Sequence, residues 1–300
     1  MKKLKHIALW VGALTVVAFA LLYYETDLLW KVQQHNVFLN SSLFFHQQMV
    51  VPGGMLSYLG AFFTQHFYYP WVGVILLCGW WLLLMWLTER AFNIPEKWQV
   101  LTLIPVAILL LTNMELGYWV YVIKLRGFFY VATLGVIAGT ALLWAFRQLP
   151  EKLWQRVAFI VLVALLGYPL MGVYALATVV LMGVLVWRQK SNLNARIILS
   201  VTALLSVIAI PLLYYRFVYY ETNLNNIYTT ALPIFTISEH YPDYYIPYYV
   251  LAAYFLFLTF ICCREWKAPK HPVMQWVKQG CVLAVGCWVV AVGCWVLGGD

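Results

Sequence analysis

Glu25 and Asp27 stand two residues apart, directly after an apolar run that ends in Tyr23-Tyr24. A carboxylate at the mouth of a membrane span can take the proton of an acceptor hydroxyl. A plainer reading has equal standing: Asp27 caps a helix lying along the interface, and Glu25 rests in interfacial water at small cost. A second polar group follows another apolar run, with Arg216 five residues before Glu221 and then Asn223, Asn225 and Asn226. An arginine so placed can pair with a carboxylate or hold a phosphate. Lys124 and Arg126 lie in a third connection near Glu115. They point to an anionic ligand, although snorkelling to lipid phosphates explains them as simply. The histidines lack HxxxH or HExxH spacing, so no metal site is expected, and a divalent cation has no support from spacing. No GxSxG, P-loop or dinucleotide fingerprint is present, and no cofactor is expected. Gly53-Gly54 could form an anion-binding nest of backbone N–H groups, with a plain turn as the favoured reading.

The elements that must position these groups are membrane helices. Of the 300 residues, 64% are hydrophobic and 10% charged, against roughly 25% charged in ordinary soluble domains. A bilayer core takes about 20 mostly apolar residues per helix, and nearly the whole chain consists of such runs. The expected fold is all-α, a polytopic transmembrane bundle forming one integral domain over 1–300. Nine spans are expected, at about 7–24, 71–87, 100–111, 127–146, two within 157–187, 197–215, 248–263 and 281–297. The stretch 157–187 is too long for one span and is expected to break at Gly167-Tyr168-Pro169, with one kinked helix as the alternative. The first span follows Met1-Lys2-Lys3-Leu4-Lys5 without a small-x-small cleavage site and is expected to stay uncleaved. The six cysteines lack CxxC spacing and read as packing residues.

With the N-terminus in the cytoplasm, only Lys31, Lys124, Arg126 and Arg216 of the 19 Lys and Arg fall outside. That bias is what the positive-inside rule asks of a multi-pass protein of the cell inner membrane. The net charge of +8 is therefore read as topology, with the lipid bilayer and not nucleic acid as partner. Expected outer connections are 25–70, 112–126 and 216–247. In the first, Leu28, Val32, Leu39 and Leu43 recur at near-helical spacing, which predicts an interfacial helix. Pro52-Gly53-Gly54 should end it, and Met55 to His66 should form a second short amphipathic piece. Interfacial aromatics such as Tyr68-Tyr69 and Tyr214-Tyr215 receive no functional role.

The acidic E-x-D after the first span, Phe44-Phe45, Pro52-Gly53-Gly54-Met55-Leu56 and Gln65 resemble a family of multi-spanning bacterial membrane proteins carrying a domain of unknown function. Members usually continue into a sizeable extracytoplasmic part, so the resemblance implies a shortened or split version here. More distantly, the layout is similar to the C-type-fold membrane glycosyltransferases. That similarity implies Glu25 or Asp27 as base or metal ligand, a polyprenyl-phosphate sugar as donor, and outward basic residues facing the lipid phosphate. Two functions are thus expected in order: a transferase on a lipid-linked sugar at the outer face, or a non-catalytic scaffold binding a membrane protein partner. A transporter ranks last, because charged residues well inside spans are nearly absent.

Overall fold

The computed structural model describes residues 2–187, 192–219, 223–233 and 245–262. Among them the chain is helical throughout, without a β-strand. The helices are α1 (Lys2–Tyr24), α2 (Thr26–His35), α3 (Ser42–Gln48), α4 (Gly54–Thr64), α5 (Pro70–Phe92) and α6 (Leu103–Tyr118). They continue as α7 (Phe128–Gln148), α8 (Leu153–Met171), α9 (Val173–Val186), α10 (Leu193–Phe217) and α11 (Ile246–Cys262). Six stretches are long and apolar enough to cross a membrane: Ile7–Tyr24, Pro70–Phe92, Trp98–Tyr118, Phe128–Gln148, Leu153–Met171 and Leu193–Phe217. The helices α9 and α11 are apolar but shorter. The expected span at 281–297 lies outside the described residues.

The centre of the bundle is α7, 72% buried, whereas the spans of α1 and α10 are each 22% buried. Hydrogen bonds between helices fix this centre. Tyr130 Oη of α7 donates to Gly73 O of α5 at 2.7 Å, and Trp81 Nε1 donates to Thr133 Oγ1 at 3.2 Å. Asn113 Nδ2 of α6 reaches Phe129 O at 3.0 Å. Such bonds within lipid average about 0.6 kcal/mol each, so they align helices whose stability comes mainly from packing. At the far end of α7, Arg156 is buried. Its Nε donates to Pro150 O at 3.2 Å, and Nη2 donates to Leu149 O at 3.3 Å. It thus supplies donors just past the α7 C-terminus, where cations are favoured.

The stretch 157–187 forms two helices, but the break falls at Gly172 and Pro169 lies inside α8. Gly172 has φ +58°, and a Cβ there would lie 2.7 Å from Thr230 O. A left-handed, side-chain-free residue ends the helix, while the missing N–H of a proline one turn earlier is tolerated in a membrane helix. The third span differs too. The residues 112–116 include neither Gly nor Pro, so α6 runs on through Met114 and Glu115, residues expected in a connection. The single interfacial helix expected after residue 27 is two helices, α2 and α3, separated at 36–41. Leu28 and Val32 are buried as expected, but Leu39 and Leu43 are exposed, because the chain leaves helical geometry at Asn36.

Candidate functional site

At the junction of α1 and α2 the backbone hydrogen bonding is nearly continuous: Glu25 N donates to Leu21 O at 3.2 Å, and Leu29 N to Glu25 O at 3.0 Å. Glu25 itself leaves helical geometry, with φ −113° and ψ 17°, so the chain bends there. Leu28 holds α2 down on the C-terminal turn of α6; a Cβ on Gly117 would be 2.8 Å from Leu28 Cδ2. The Glu25 carboxyl is consequently half-buried, and burial raises its pKa above the ordinary glutamate value. It lies close enough to Tyr118, the last residue of α6, to interact with it electrostatically. Asp27 is exposed in the first turn of α2, where the helix dipole favours an acid. It does not hold the N-cap position: Glu25 does, without a side-chain hydrogen bond.

A ten-residue helix at about 1.5 Å per residue makes α2 about 15 Å long. Its far end meets the start of α7 in a cleft lined by His35, Asn36, Thr64, Arg126, Gly127 and Phe128, among others. The His35 ring packs edge-on to Tyr121 with centroids 4.5 Å apart. The Arg126 guanidinium lies over the Phe44 ring, 5.6 Å from its centroid. Arg126 and Glu25 therefore mark opposite ends of α2. Lys124 is exposed.

Arg216 is exposed in the last turn of α10. Glu221 lies outside the described residues, and of Asn225 only the backbone, in a 3-10 turn over Leu224–Asn226, is described. The segment around this turn is fastened by tyrosines. Tyr168 Oη donates to Ile227 O at 2.8 Å, Tyr228 Oη to Ile208 O at 3.2 Å and Tyr245 Oη to Pro233 O at 3.0 Å. Gly53 is drawn into the same junction. Its N–H donates to Pro169 O at 2.9 Å, and the N–H of Gly54 donates to Val51 O at 3.2 Å. Both donors are spent inside the protein, so this pair is a turn with Gly53 at φ +80° and not an anion nest.

Sequence reasoning singled out the two acids and the basic residues but missed Tyr118, His35, Asn36 and the fastening tyrosines. The first three are brought in by contacts 25 or more residues away, such as Asn36 Nδ2 donating to Ala61 O at 2.8 Å. Tyrosine abundance was the available signal for the rest, and it is shared with any membrane interface.

An all-helical chain with six stretches able to cross a bilayer, and with short helices folded between the first two, is a multi-pass membrane protein. The chain belongs to the DUF6057 family, a family of unknown function, whose model matches residues 2–261. No curated protein matches it, and no solved structure does.

Proposed function

We propose that this chain is a nine-span protein of the cell inner membrane with a cytoplasmic N-terminus, acting at the outer face as a glycosyltransferase-like enzyme on a polyprenyl-phosphate-linked sugar. Orientation is supported by the basic residues, of which Arg147 and Arg156 lie at the end of the bundle away from α2–α4. The separation of α8 from α9 supports the parity of the span count.

The observation that carries the enzymatic reading is the Glu25 carboxyl, half-buried where α1 gives way to α2. Its raised pKa brings it nearer to neutral, which suits a general base that must gain a proton and lose it again. In the proposed step Glu25 takes the proton of the acceptor hydroxyl. The acceptor oxygen then bonds the sugar's anomeric carbon, and the bond to the lipid phosphate breaks with its electron pair passing to phosphate. Asp27 is exposed, and residues two apart do not share a helix face. Arg126, about one length of α2 away, does not meet a phosphate leaving next to Glu25. Lys124, two residues from Arg126, and Arg216, at the end of α10 where it packs on α8 and α9, are likewise not placed beside Glu25.

The second reading, a non-catalytic scaffold, is favoured by a specific observation: Asp27, Lys124 and Arg216 are each exposed, as they would be on a surface that docks another protein. Native mass spectrometry of protein extracted from its own membrane separates the two. Under the transferase reading the wild type carries a polyprenyl-phosphate species that a Glu25→Gln/Asp27→Asn variant loses. A protein partner retained by both, with no such lipid on either, contradicts the transferase and supports the scaffold.

A further inference from the structure

We infer that residues 212–217, the end of α10, form a hinged flap that pivots at Pro211 and is latched to α8 by the hydroxyl of Tyr214. The inference starts from the prolines that stand within three of the helices: Pro105 in α6, Pro169 in α8 and Pro211 in α10. A proline has no N–H to give to the carbonyl four residues back, and its ring crowds that carbonyl. Pro105, Pro169 and Pro211 therefore give nothing to Leu101 O, Leu165 O and Val207 O.

Tyrosines from elsewhere in the chain supply donors at these places. Tyr254 Oη of α11 donates to Leu101 O at 2.6 Å, and Tyr214 Oη of α10 donates to Leu165 O at 2.9 Å. At the third proline, Tyr228 Oη donates at 3.2 Å to Ile208 O, one residue along from Val207. Membrane helices keep their prolines on this condition, that neighbouring groups satisfy the backbone the proline leaves unserved.

The first two bonds differ in one respect that decides their role. The bond from Tyr254 is buried, between helices that pack on one another, so it braces the bundle permanently. The bond from Tyr214 is exposed, and interfacial water competes for both of its ends, which leaves it a small net advantage. Little else holds the flap down. Leu212, Leu213 and Phe217 are exposed. The Tyr214 ring lies 5.7 Å from the ring of Tyr168 and 5.7 Å from that of Tyr219, in a small cluster apart from the main core. Segments with few buried apolar contacts and exposed hydrogen bonds open at low cost, and a proline marks where a helix bends.

Both neighbours of the flap are fastened. On the near side Tyr228 holds α10 at Ile208. On the far side Tyr168 Oη, buried, holds the 223–233 segment through Ile227 O at 2.8 Å. Opening therefore parts α10 from α8 locally and uncovers Leu165 and Tyr168. In the proposed orientation this lies at the outer face, and Arg216, in the last turn of α10, moves with the flap. The device does not depend on chemistry at Glu25.

A latch and a mere brace give different results in hydrogen exchange, followed by mass spectrometry on the full chain in lipid nanodiscs. Tyr214→Phe should speed exchange of the 212–217 amides roughly three- to tenfold, the scale of one net hydrogen bond, while 193–207 keeps its wild-type rate. Pro211→Ala restores a donor to Val207 O, so it should slow the 212–217 amides below wild type and cancel the effect of Tyr214→Phe in the double variant. Tyr215→Phe should change nothing, and Tyr254→Phe should lower the melting temperature without selective exchange at 212–217. The inference is overturned if Tyr214→Phe leaves 212–217 unchanged, or if it speeds α8 and all of α10 alike, as loss of a brace would. It is overturned equally if Pro211→Ala alone leaves exchange at 212–217 as it was.

Discussion

Glu25 and Asp27 are two residues apart, yet α2 gives them different chemistry, because only Glu25 is pressed toward the end of α6. Raising a carboxyl's pKa in the folded state means that the native protein holds the proton longer than the unfolded chain. The protonated form is therefore the more stable one. Stability falls as pH rises past the ordinary glutamate value of about 4.3 toward the raised native value. Glu25→Gln should accordingly melt at higher temperature than wild type at neutral pH and lose that advantage near pH 4, as thermal scans across pH will reveal. Equal melting curves throughout would contradict the burial. Greater stability with lost activity is the usual signature of a functional residue held in an unfavourable place. The position of the two acids could be read from the sequence, since it depends only on where an apolar run stops. Which of them is desolvated could not, because Leu28 meets Gly117 across almost ninety residues of chain.

At the scale of elements, apolar runs long enough to span were legible, and their ends were legible only where the residue at the break had one physical meaning. Gly167-Tyr168-Pro169 offered two breakers, and neither is used. The chain turns at Gly172 because the 230 region lies against it, a tertiary contact with no local trace. Gly53 belongs to the same junction: a Cβ there would stand 2.7 Å from the Ala231 Cβ, in a residue already at φ +80°. Gly53→Ala should lower the melting temperature in detergent by several degrees and expose the 223–233 segment to protease, whereas Gly12→Ala, with nothing within 4 Å, should do neither. Arg156 shows the opposite gap. Its charge was legible as a topology determinant, but its hydrogen bonds to Leu149 O and Pro150 O were not. Charge-assisted bonds are worth about 1.5–3 kcal/mol, so Arg156→Ala should destabilise the chain by about 2 kcal/mol, with Arg156→Lys recovering only part of it.

For the whole molecule, the contrast between a buried α7 and the exposed apolar faces of α1 and α10 is that of a bundle solvated by lipid. Leu204 and Leu205 of α10 are 62% and 59% exposed. Leu204→Lys should impair membrane insertion while Leu204→Phe is accepted, judged by the fraction recovered in the membrane. The proposed orientation places residue 124 outside and residue 152 inside. Single cysteines there, in a cysteine-free background, should react with an impermeant maleimide on intact cells at 124 and only after permeabilisation at 152; the reverse pattern would invert the topology.

Glu25 as the base of a transfer at the outer face is the central proposal. The direct measurement is release of polyprenyl phosphate from a polyprenyl-phosphate sugar by wild type and Glu25→Gln in proteoliposomes, with melting curves confirming that both are folded. The wild type should release it, and the variant should lose at least about a hundredfold of that activity, the scale of general-base catalysis. Equal release by the two proteins, or none from a folded wild type supplied with its native membrane extract, would contradict it.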